Sequence, residues 1–248
     1  MTLSENIALV QANIIAAAKA AGRDPGEITL VAATKVQTAE TVRAAIAAGI
    51  SVCGENRVQE MTEKQAENAY AGSALHFIGH LQTNKVKQVV GQVALIHSVG
   101  SAHLLEAIEA QAAQLDLRQD ILLEVNLGGE ASKSGVTPEA LPALAQKAAA
   151  LPHVRLRGLM TVPPQVLAAG GSRQYFAEMY HLYVDIRRRM GDNVSDIDCL
   201  SMGMSGDYED AVREGATLVR VGTAIFGPRP PILTPKEKAG REHTYELY

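Results

Sequence analysis

The chain has 248 residues, a formal net charge of −4 and 47% hydrophobic residues, which is typical of a soluble globular protein and excludes an intrinsically disordered one. It has no run rich in Lys and Arg and no apolar run near the roughly 18 residues of a membrane span, so we expect neither nucleic-acid binding nor a membrane helix. The first residues resemble no secretory signal, and Cys53 and Cys199 are too few for a disulfide framework. A cytoplasmic, reduced protein is therefore expected.

The predicted elements alternate along the chain between short apolar runs and longer amphipathic stretches. Residues 2–22 show apolar residues at helical spacing, and Ser4 is the expected N-cap of that helix. Eight strand-like runs follow, at residues 28–34, 50–54, 75–79, 94–98, 120–126, 154–160, 197–201 and 218–222. Helical patterns separate them, at residues 38–48, 56–70, 82–90, 101–115, 138–150, 174–190 and 207–215.

This alternation predicts the fold class. Strands joined by helices form right-handed βαβ units and a parallel sheet. Eight units in about 225 residues, one for about every 28, are typical of a single (β/α)8 TIM barrel. An open doubly wound sheet is the competing fold, but it usually has fewer strands, and no run here is followed by the G-x-G-x-x-G pattern. We therefore predict an α/β barrel with an N-terminal helix over residues 1–229 and a polar C-terminal tail over residues 230–248.

The fifth predicted strand indicates which side chains point into the barrel. Ile121, Leu123 and Val125 share one face, whereas Glu124 lies on the other. Helices cover the outside of a barrel, so the apolar face is expected to point outward and Glu124 inward. The same alternation turns Arg157 inward from the next strand. Because burying either charge alone is costly, we predict an ion pair between Glu124 and Arg157.

Lys35 stands where the chemistry of such a barrel is found, at the carboxyl end of a strand. It closes the first apolar strand, so its stem is expected to be enclosed while its ammonium group faces the mouth. Desolvation lowers the pKa of a lysine, and a lysine that loses its proton can form a Schiff base. The alternative is a lysine whose side chain extends from the strand end into solvent.

The loops after the last two strands indicate a phosphate site. Barrels of this class bind phosphate with these loops, where backbone N–H groups at a helix start face the ligand. Here the loops carry small or hydroxyl-bearing residues, namely Ser201, Gly203, Ser205, Gly206, Gly222 and Thr223. Ordinary turn chemistry explains one such loop, but small residues in both loops favour a phosphate cradle.

Arg220 suggests which cofactor the site takes. It lies two residues before Gly222 on the same inward face, and it is a cation that only donates hydrogen bonds. A lysine able to form an aldimine, a phosphate cradle and an inward arginine together suggest pyridoxal 5′-phosphate (PLP), with Arg220 at the pyridine nitrogen. An arginine must donate to an unprotonated nitrogen, so the ring would be a weak electron sink. The alternative role for Arg220 is a salt bridge in the barrel core.

The remaining candidate residues are less informative. Asn56 either hydrogen-bonds the ring or the Schiff base, or caps the helix that begins near Arg57. His80 is either an acid/base group or a structural histidine beside a helix start. Cys53 and Cys199 fall within strands and are expected in the core. No cluster of His, Cys, Asp or Glu has metal-ligand spacing, so no metal is expected.

Several runs of the sequence resemble one known family, the pyridoxal phosphate homeostasis proteins, which are related to the N-terminal barrel of alanine racemase. The runs are LVAATK (30–35), GENRVQE (54–60), HFIGHLQTNK (76–85), VN (125–126) with SKSG (132–135), GLM (158–160), LSMGMS (200–205) and VRVGTAIFG (219–227). The resemblance covers about residues 5–229 and leaves the tail uncovered.

The resemblance implies a single (β/α)8 barrel in which Lys35 carries PLP as a covalent aldimine. The resemblance implies further residues that bind the cofactor, with Asn56 near the ring and Arg220 at the pyridine nitrogen. The residues implied around the phosphate are Ser201, Met204, Ser205, Gly222 and Thr223. Family members act in PLP supply and amino-acid balance without established catalytic turnover, so no residue is predicted to be catalytic.

The length of the chain bears on turnover. Racemisation needs acid/base groups on both faces of the α-carbon, and alanine racemases take the tyrosine that opposes the lysine from a C-terminal domain. The sequence ends where that domain would begin, and Tyr245 and Tyr248 are the only mobile candidates for this role. We therefore predict a monomeric PLP carrier, with delivery to apo-enzymes as a hypothesis. The alternatives are a weak PLP-dependent amino-acid racemase and a cofactor-free aldolase that uses Lys35 alone.

Overall fold

The computed structural model describes residues 1–129, 134–164, 170–191 and 196–228. In these residues, parallel strands close into a barrel in sequence order, with β8 hydrogen-bonded to β1. The strands are β1 Thr29–Ala33, β2 Val52–Glu55, β3 Ala74–Phe77, β4 Leu95–Val99, β5 Gln119–Val125, β6 Val154–Thr161, β7 Cys199–Ser201 and β8 Leu218–Val221. The predicted fold class and all eight predicted strands are confirmed. The predicted tail at 230–248 lies outside the described residues.

The α-helices lie on the outside of the barrel, and all but the first follow a strand. They are α1 Leu3–Ala20, α2 Ala39–Ala47, α3 Val58–Ala66, α4 Ala102–Gln114, α5 Leu141–Ala149, α6 Arg173–Arg189, α7 Tyr208–Arg213 and α8 Thr223–Phe226, with 3-10 helices at Pro25–Glu27 and Thr83–Gln88. None of these helices combines the length and the apolar character that crossing a membrane requires.

The first helix begins differently from the prediction. Thr2, not Ser4, is the N-cap of α1: its hydroxyl accepts from Glu5 N at 3.2 Å, and the Glu5 carboxylate accepts from Thr2 N at 2.7 Å. This reciprocal arrangement is a capping box, which satisfies two backbone donors at the helix start. The expectation for Ser4 was wrong because the spacing of Thr2 and Glu5 selects the earlier residue.

The core has two layers, one outside the strands and one inside the barrel. The outer layer packs strands against helices and includes Ile121, Leu123 and Val125, as predicted. The smaller inner layer contains Leu122, and Glu124 is buried on the same face of β5. The prediction that Glu124 points inward is therefore confirmed.

The predicted ion pair between Glu124 and Arg157 is wrong. Arg157 instead bonds Asp120 at 2.7 Å and Asp198 at 2.5 Å, while Glu124 accepts from Ser134 Oγ at 2.9 Å. Glu124 pairs in register with Met160, three residues beyond Arg157 and about 10 Å further along the strand. Face alternation identified the inward residues correctly, but it does not give the register that decides which charges meet.

Candidate functional site

The predicted site residues gather on four neighbouring strands at the carboxyl edge of the barrel. In the order of the sheet, β7 and its loop carry Ser201, Met204 and Ser205, and β8 and its loop carry Arg220, Gly222 and Thr223. Lys35 lies two residues after β1, and Asn56 directly follows β2. Because β8 pairs with β1, the barrel closes between these two strands. A Cβ placed on Gly222 would lie 3.3 Å from the carbonyl oxygen of Ala33.

The two serines of the β7 loop have different surroundings. Ser201 is fully buried, and its hydroxyl lies 2.6 Å from Arg220 Nη1 and 3.0 Å from His97 Nδ1. Ser205 is half-buried, and its Oγ accepts from Gly222 N at 3.1 Å and from Ala224 N at 3.2 Å. Ser205 therefore joins the β7 loop to the start of α8, whereas Ser201 supports Arg220 from inside the barrel.

The β7 loop comes close to the neighbouring backbone because it is built from small residues. Gly203 has a φ of +87°, and a Cβ there would come within 2.5 Å of the Ala211 side chain. Its carbonyl oxygen accepts from Arg220 N at 3.0 Å, which ties the loop to β8. Met204 and Thr223 are exposed at the rim. The pair of loops thus forms a shallow surface of backbone groups and hydroxyls, which is the composition that suits a phosphate.

Arg220 is buried without an ion-pair partner among the described residues. Its side chain donates to Ser201 Oγ and, at 2.9 Å, to the carbonyl oxygen of Thr161. Burial lowers the pKa of Arg220 to about 10, although the more distant carboxylates of Glu124 and Asp207 oppose this. The alternative of a core salt bridge is thus not found in the described part of the chain, and Arg220 remains a cation held by neutral groups.

A buried chain of two histidines extends this contact, and the sequence analysis missed it. His97 Nδ1 lies 3.0 Å from Ser201 Oγ, and its Nε2 lies 3.0 Å from His76 Nδ1. Arg220 can only donate, so the Ser201 oxygen accepts from it and keeps its hydroxyl proton to donate to His97 Nδ1; His97 Nε2 then donates to His76 Nδ1. This direction requires both imidazoles to be neutral.

Burial favours the same protonation state of both histidines. It lowers the pKa of His76 to about 4 and the pKa of His97 well below its ordinary value. The sequence did contain a signal: His76 interrupts an apolar strand between Leu75 and Phe77. The alternation argument applied to β5 would have placed this side chain inside the barrel.

Asn56 does not cap the helix that follows it. The helix α3 starts at Val58, its N-cap residue is Arg57, and that cap has no side-chain hydrogen bond. The Oδ1 atom of Asn56 is buried and has no hydrogen-bond partner in the described part of the chain. Gly79 allows the Asn56 backbone to approach closely, since a Cβ on Gly79 would lie 2.1 Å from the Asn56 carbonyl oxygen.

Two more buried oxygens near the mouth lack partners among the described residues. They are Oε2 of Glu124 and the hydroxyl of Ser98. Burial raises the pKa of Glu124, although His80 and Arg220 lie near enough to oppose this. Unsatisfied buried polar atoms are rare in folded proteins. The three near the mouth, on Asn56, Ser98 and Glu124, therefore fit a site that receives a polar ligand.

The remaining candidates play other parts. His80 is exposed, on the same side of the barrel as Glu124. Cys53 is buried in the outer core as expected, whereas Cys199 is half-buried. Burial raises the pKa of both thiols, to about 12 for Cys199, where Asp198 adds to the effect. Across residues 1–129, 134–164, 170–191 and 196–228 no group of His, Cys, Asp and Glu is arranged to hold a metal ion.

Comparison with known proteins decides the family. The family model for the N-terminal domain of alanine racemase matches residues 6–230. A pyridoxal phosphate homeostasis protein of Pseudomonas aeruginosa is 44% identical over 228 residues, which is 92% of this chain and 96% of that protein. The chain belongs to the pyridoxal phosphate homeostasis protein family. A member from Aquifex aeolicus is 42% identical over 229 residues, covering 92% of this chain and 99% of its own length.

Solved structures of similar proteins agree with the family assignment. A protein of unknown function from Bifidobacterium adolescentis matches with a TM-score of 0.84 and 38% identity, over 90% of this chain and 94% of its own. PipY of Synechococcus elongatus, solved with PLP bound, matches with a TM-score of 0.78 and 33% identity, over 91% of this chain and all of its own. Alanine racemase from Corynebacterium glutamicum is 15% identical with a TM-score of 0.64, and this match shows the shared barrel fold alone.

Proposed function

We propose that this protein binds PLP at the carboxyl edge of its barrel, as a Schiff base on Lys35 Nζ, and acts in PLP homeostasis. The observation that carries the proposal is the placement of three parts on the adjacent strands β7, β8 and β1. These parts are a cradle of small residues, a buried arginine held by neutral groups, and a lysine at a strand end. The PLP-bound structure of PipY, a relative of similar fold, supports the same ligand.

The residues at the mouth fit the groups of this cofactor. The Ser205 hydroxyl, which accepts from Gly222 N and Ala224 N at the start of α8, would still donate to the phosphate, and so would the exposed Thr223 hydroxyl. The unpartnered Oδ1 of Asn56 would accept from a hydroxyl or N–H group of the ligand. PLP itself supplies an aldehyde that condenses with amines and a pyridine ring that withdraws electrons.

The environment of Arg220 favours holding PLP over turning over amino acids. Arginine keeps its proton and can only donate, so a pyridine nitrogen facing it stays unprotonated and the ring withdraws electrons weakly. Racemisation would also need a second acid/base group opposite Lys35. The phenol groups of Tyr70, Tyr183 and Tyr208 are bonded elsewhere, to Glu55, the Ile197 carbonyl and Asn13.

We further propose a carrier that passes PLP to apo-enzymes, and we expect it to act as a monomer in the cytoplasm. The rim residues Met204 and Thr223 are exposed, so a bound cofactor would lie near the surface, where an amine from another protein can approach it. The barrel with its N-terminal helix, over residues 1–229, is the proposed functional unit.

Absorbance of the purified protein tests the proposal. Added PLP should give the yellow band of a Schiff base in the wild type, and Lys35→Ala should abolish it. The exposed Lys87→Ala on the 3-10 helix should leave it intact. A protein that stays colourless with PLP, or a band that survives Lys35→Ala, would refute the site. Racemisation of L-alanine or L-serine at about 1 per second or faster would refute the carrier role.

A further inference from the structure

The turn that carries Lys35 has a rare backbone conformation. Val36, the next residue, has a φ of +60°, and its side chain is exposed. A β-branched residue with positive φ is an outlier because its Cβ crowds the backbone. Such strain persists only where the surrounding structure over-determines it, and it collects at functional sites. The contacts that hold this turn are therefore informative.

Two side chains of α3 hold the peptide groups on either side of Lys35. Lys64 Nζ donates to the carbonyl oxygen of Thr34 at 2.7 Å. Glu60 Oε2 accepts from the backbone N–H of Val36 at 2.8 Å. Glu60 and Lys64 lie one helical turn apart and are themselves 3.9 Å apart, so one face of α3 contacts the backbone immediately before and after Lys35.

Glu55, at the end of β2, fixes Lys64 in turn. It is fully buried, and its Oε1 accepts from Lys64 Nζ at 2.7 Å, Thr34 Oγ1 at 2.6 Å and Tyr70 OH at 2.9 Å. Burial and the Glu55 carboxylate both raise the pKa of Tyr70, so its phenol remains a neutral donor. These three bonds all meet at Oε1, while Oε2 has no partner among the described residues, so Glu55 and Lys64 are fixed through the one oxygen.

We propose that Glu55, Glu60 and Lys64 form a clamp that fixes the backbone of Lys35 and so sets the position from which its amine reacts. They are positioning residues, since their contacts reach Lys35 through its neighbouring peptide groups. A fixed amine forms a Schiff base more readily because less freedom is lost when the bond forms. The role of the amine rests on the proposed function, whereas the clamp rests on the geometry alone.

The test uses Glu60 because its side chain is partly exposed, so the variants should fold. Glu60→Ala removes the acceptor for Val36 N–H, and Glu60→Gln keeps an oxygen that can replace it. Glu63→Ala is the matched control: it removes an exposed carboxylate of the same helix, whose contact is with Gln59, and leaves Glu55 and both contacts beside Lys35 in place. Two quantities are measured, the exchange rate of the Val36 amide in the protein without ligand, and the rate of Schiff-base formation with PLP and with phosphate-free pyridoxal.

In Glu60→Ala we expect the Val36 amide to exchange roughly tenfold faster or more, and Schiff-base formation to slow by a similar factor with both aldehydes. Glu60→Gln should restore most of the wild-type exchange rate and most of the rate of Schiff-base formation, and Glu63→Ala should change neither. Wild-type values in Glu60→Ala, or equal losses in Glu63→Ala, would overturn the clamp. If the wild type forms no Schiff base while Val36 exchange follows this pattern, the proposed function fails and the clamp stands.

Discussion

Replacing Ser201 by alanine tests the buried chain that supports Arg220. The change removes one hydroxyl and its two bonds, at 2.6 Å to Arg220 and 3.0 Å to His97. A hydrogen bond to a charged group contributes about 1.5–3 kcal/mol and a neutral one about 0.5–1.5 kcal/mol. Because the site is fully buried, water cannot replace the lost partner without rearrangement. Ser201→Ala should therefore lower the free energy of unfolding by about 2–4 kcal/mol.

Urea unfolding of the protein without ligand measures this loss, with far-ultraviolet circular dichroism as the probe because the chain has no tryptophan. With a denaturant dependence of about 2–3 kcal/mol per molar, the midpoint should fall by roughly 1–2 M. Ser205→Ala is the control, since its half-buried hydroxyl accepts only from neutral backbone groups and should cost about 1 kcal/mol. A Ser201→Ala midpoint no lower than that of Ser205→Ala would refute the chain.

Three further predictions concern pH, the cradle and the strained turn. Burial lowers the pKa of His76 to about 4, so the unfolded chain takes up its proton first as pH falls below about 6.5. The contribution of neutral His76 to the free energy of unfolding is fully present above about pH 6.5, and about 3 kcal/mol of it should be lost by pH 4. Urea midpoints across this range should fall less steeply in His76→Gln, and equal slopes would contradict the burial argument. Ser205→Ala should weaken PLP binding about tenfold in an absorbance titration, because its Oγ organises the α8 start; unchanged affinity would exclude it from the cradle. Val36→Asn should raise the melting temperature by about 2–4 °C because asparagine tolerates positive φ; a lower melting temperature would show that the turn is not strained.

The barrel was predictable from the sequence because its signals are local. Each strand is a short apolar run and each helix an amphipathic stretch, so the period of the pattern identifies the elements. The rule that sites lie at strand ends then singled out Lys35 and the two small-residue loops. The position of Thr2 at the start of α1 was also available locally, through its spacing from Glu5, and was missed in favour of Ser4.

Apart from the Thr2–Glu5 capping box, the contacts discussed above that the sequence did not predict depend on register between distant segments. Arg157 meets Asp120 and Asp198 because of strand offsets that face alternation does not contain. Likewise, Ser201 bonds Arg220, which is 19 positions away in the sequence. Lys64 donates to the carbonyl oxygen of Thr34, which is 30 positions away. Polar residues inside the barrel can be identified from the sequence, but their partners require the coordinates.

The identity of the lysine that holds PLP is the most direct test of the proposed function. Borohydride reduction of the protein incubated with PLP would trap a Schiff base as a stable secondary amine, and peptide mapping by mass spectrometry would locate it. We predict a reduced phosphopyridoxyl group on the peptide that contains Lys35, at close to one group per chain. Modification confined to another lysine, such as the exposed Lys85, or no modification at all, would contradict it.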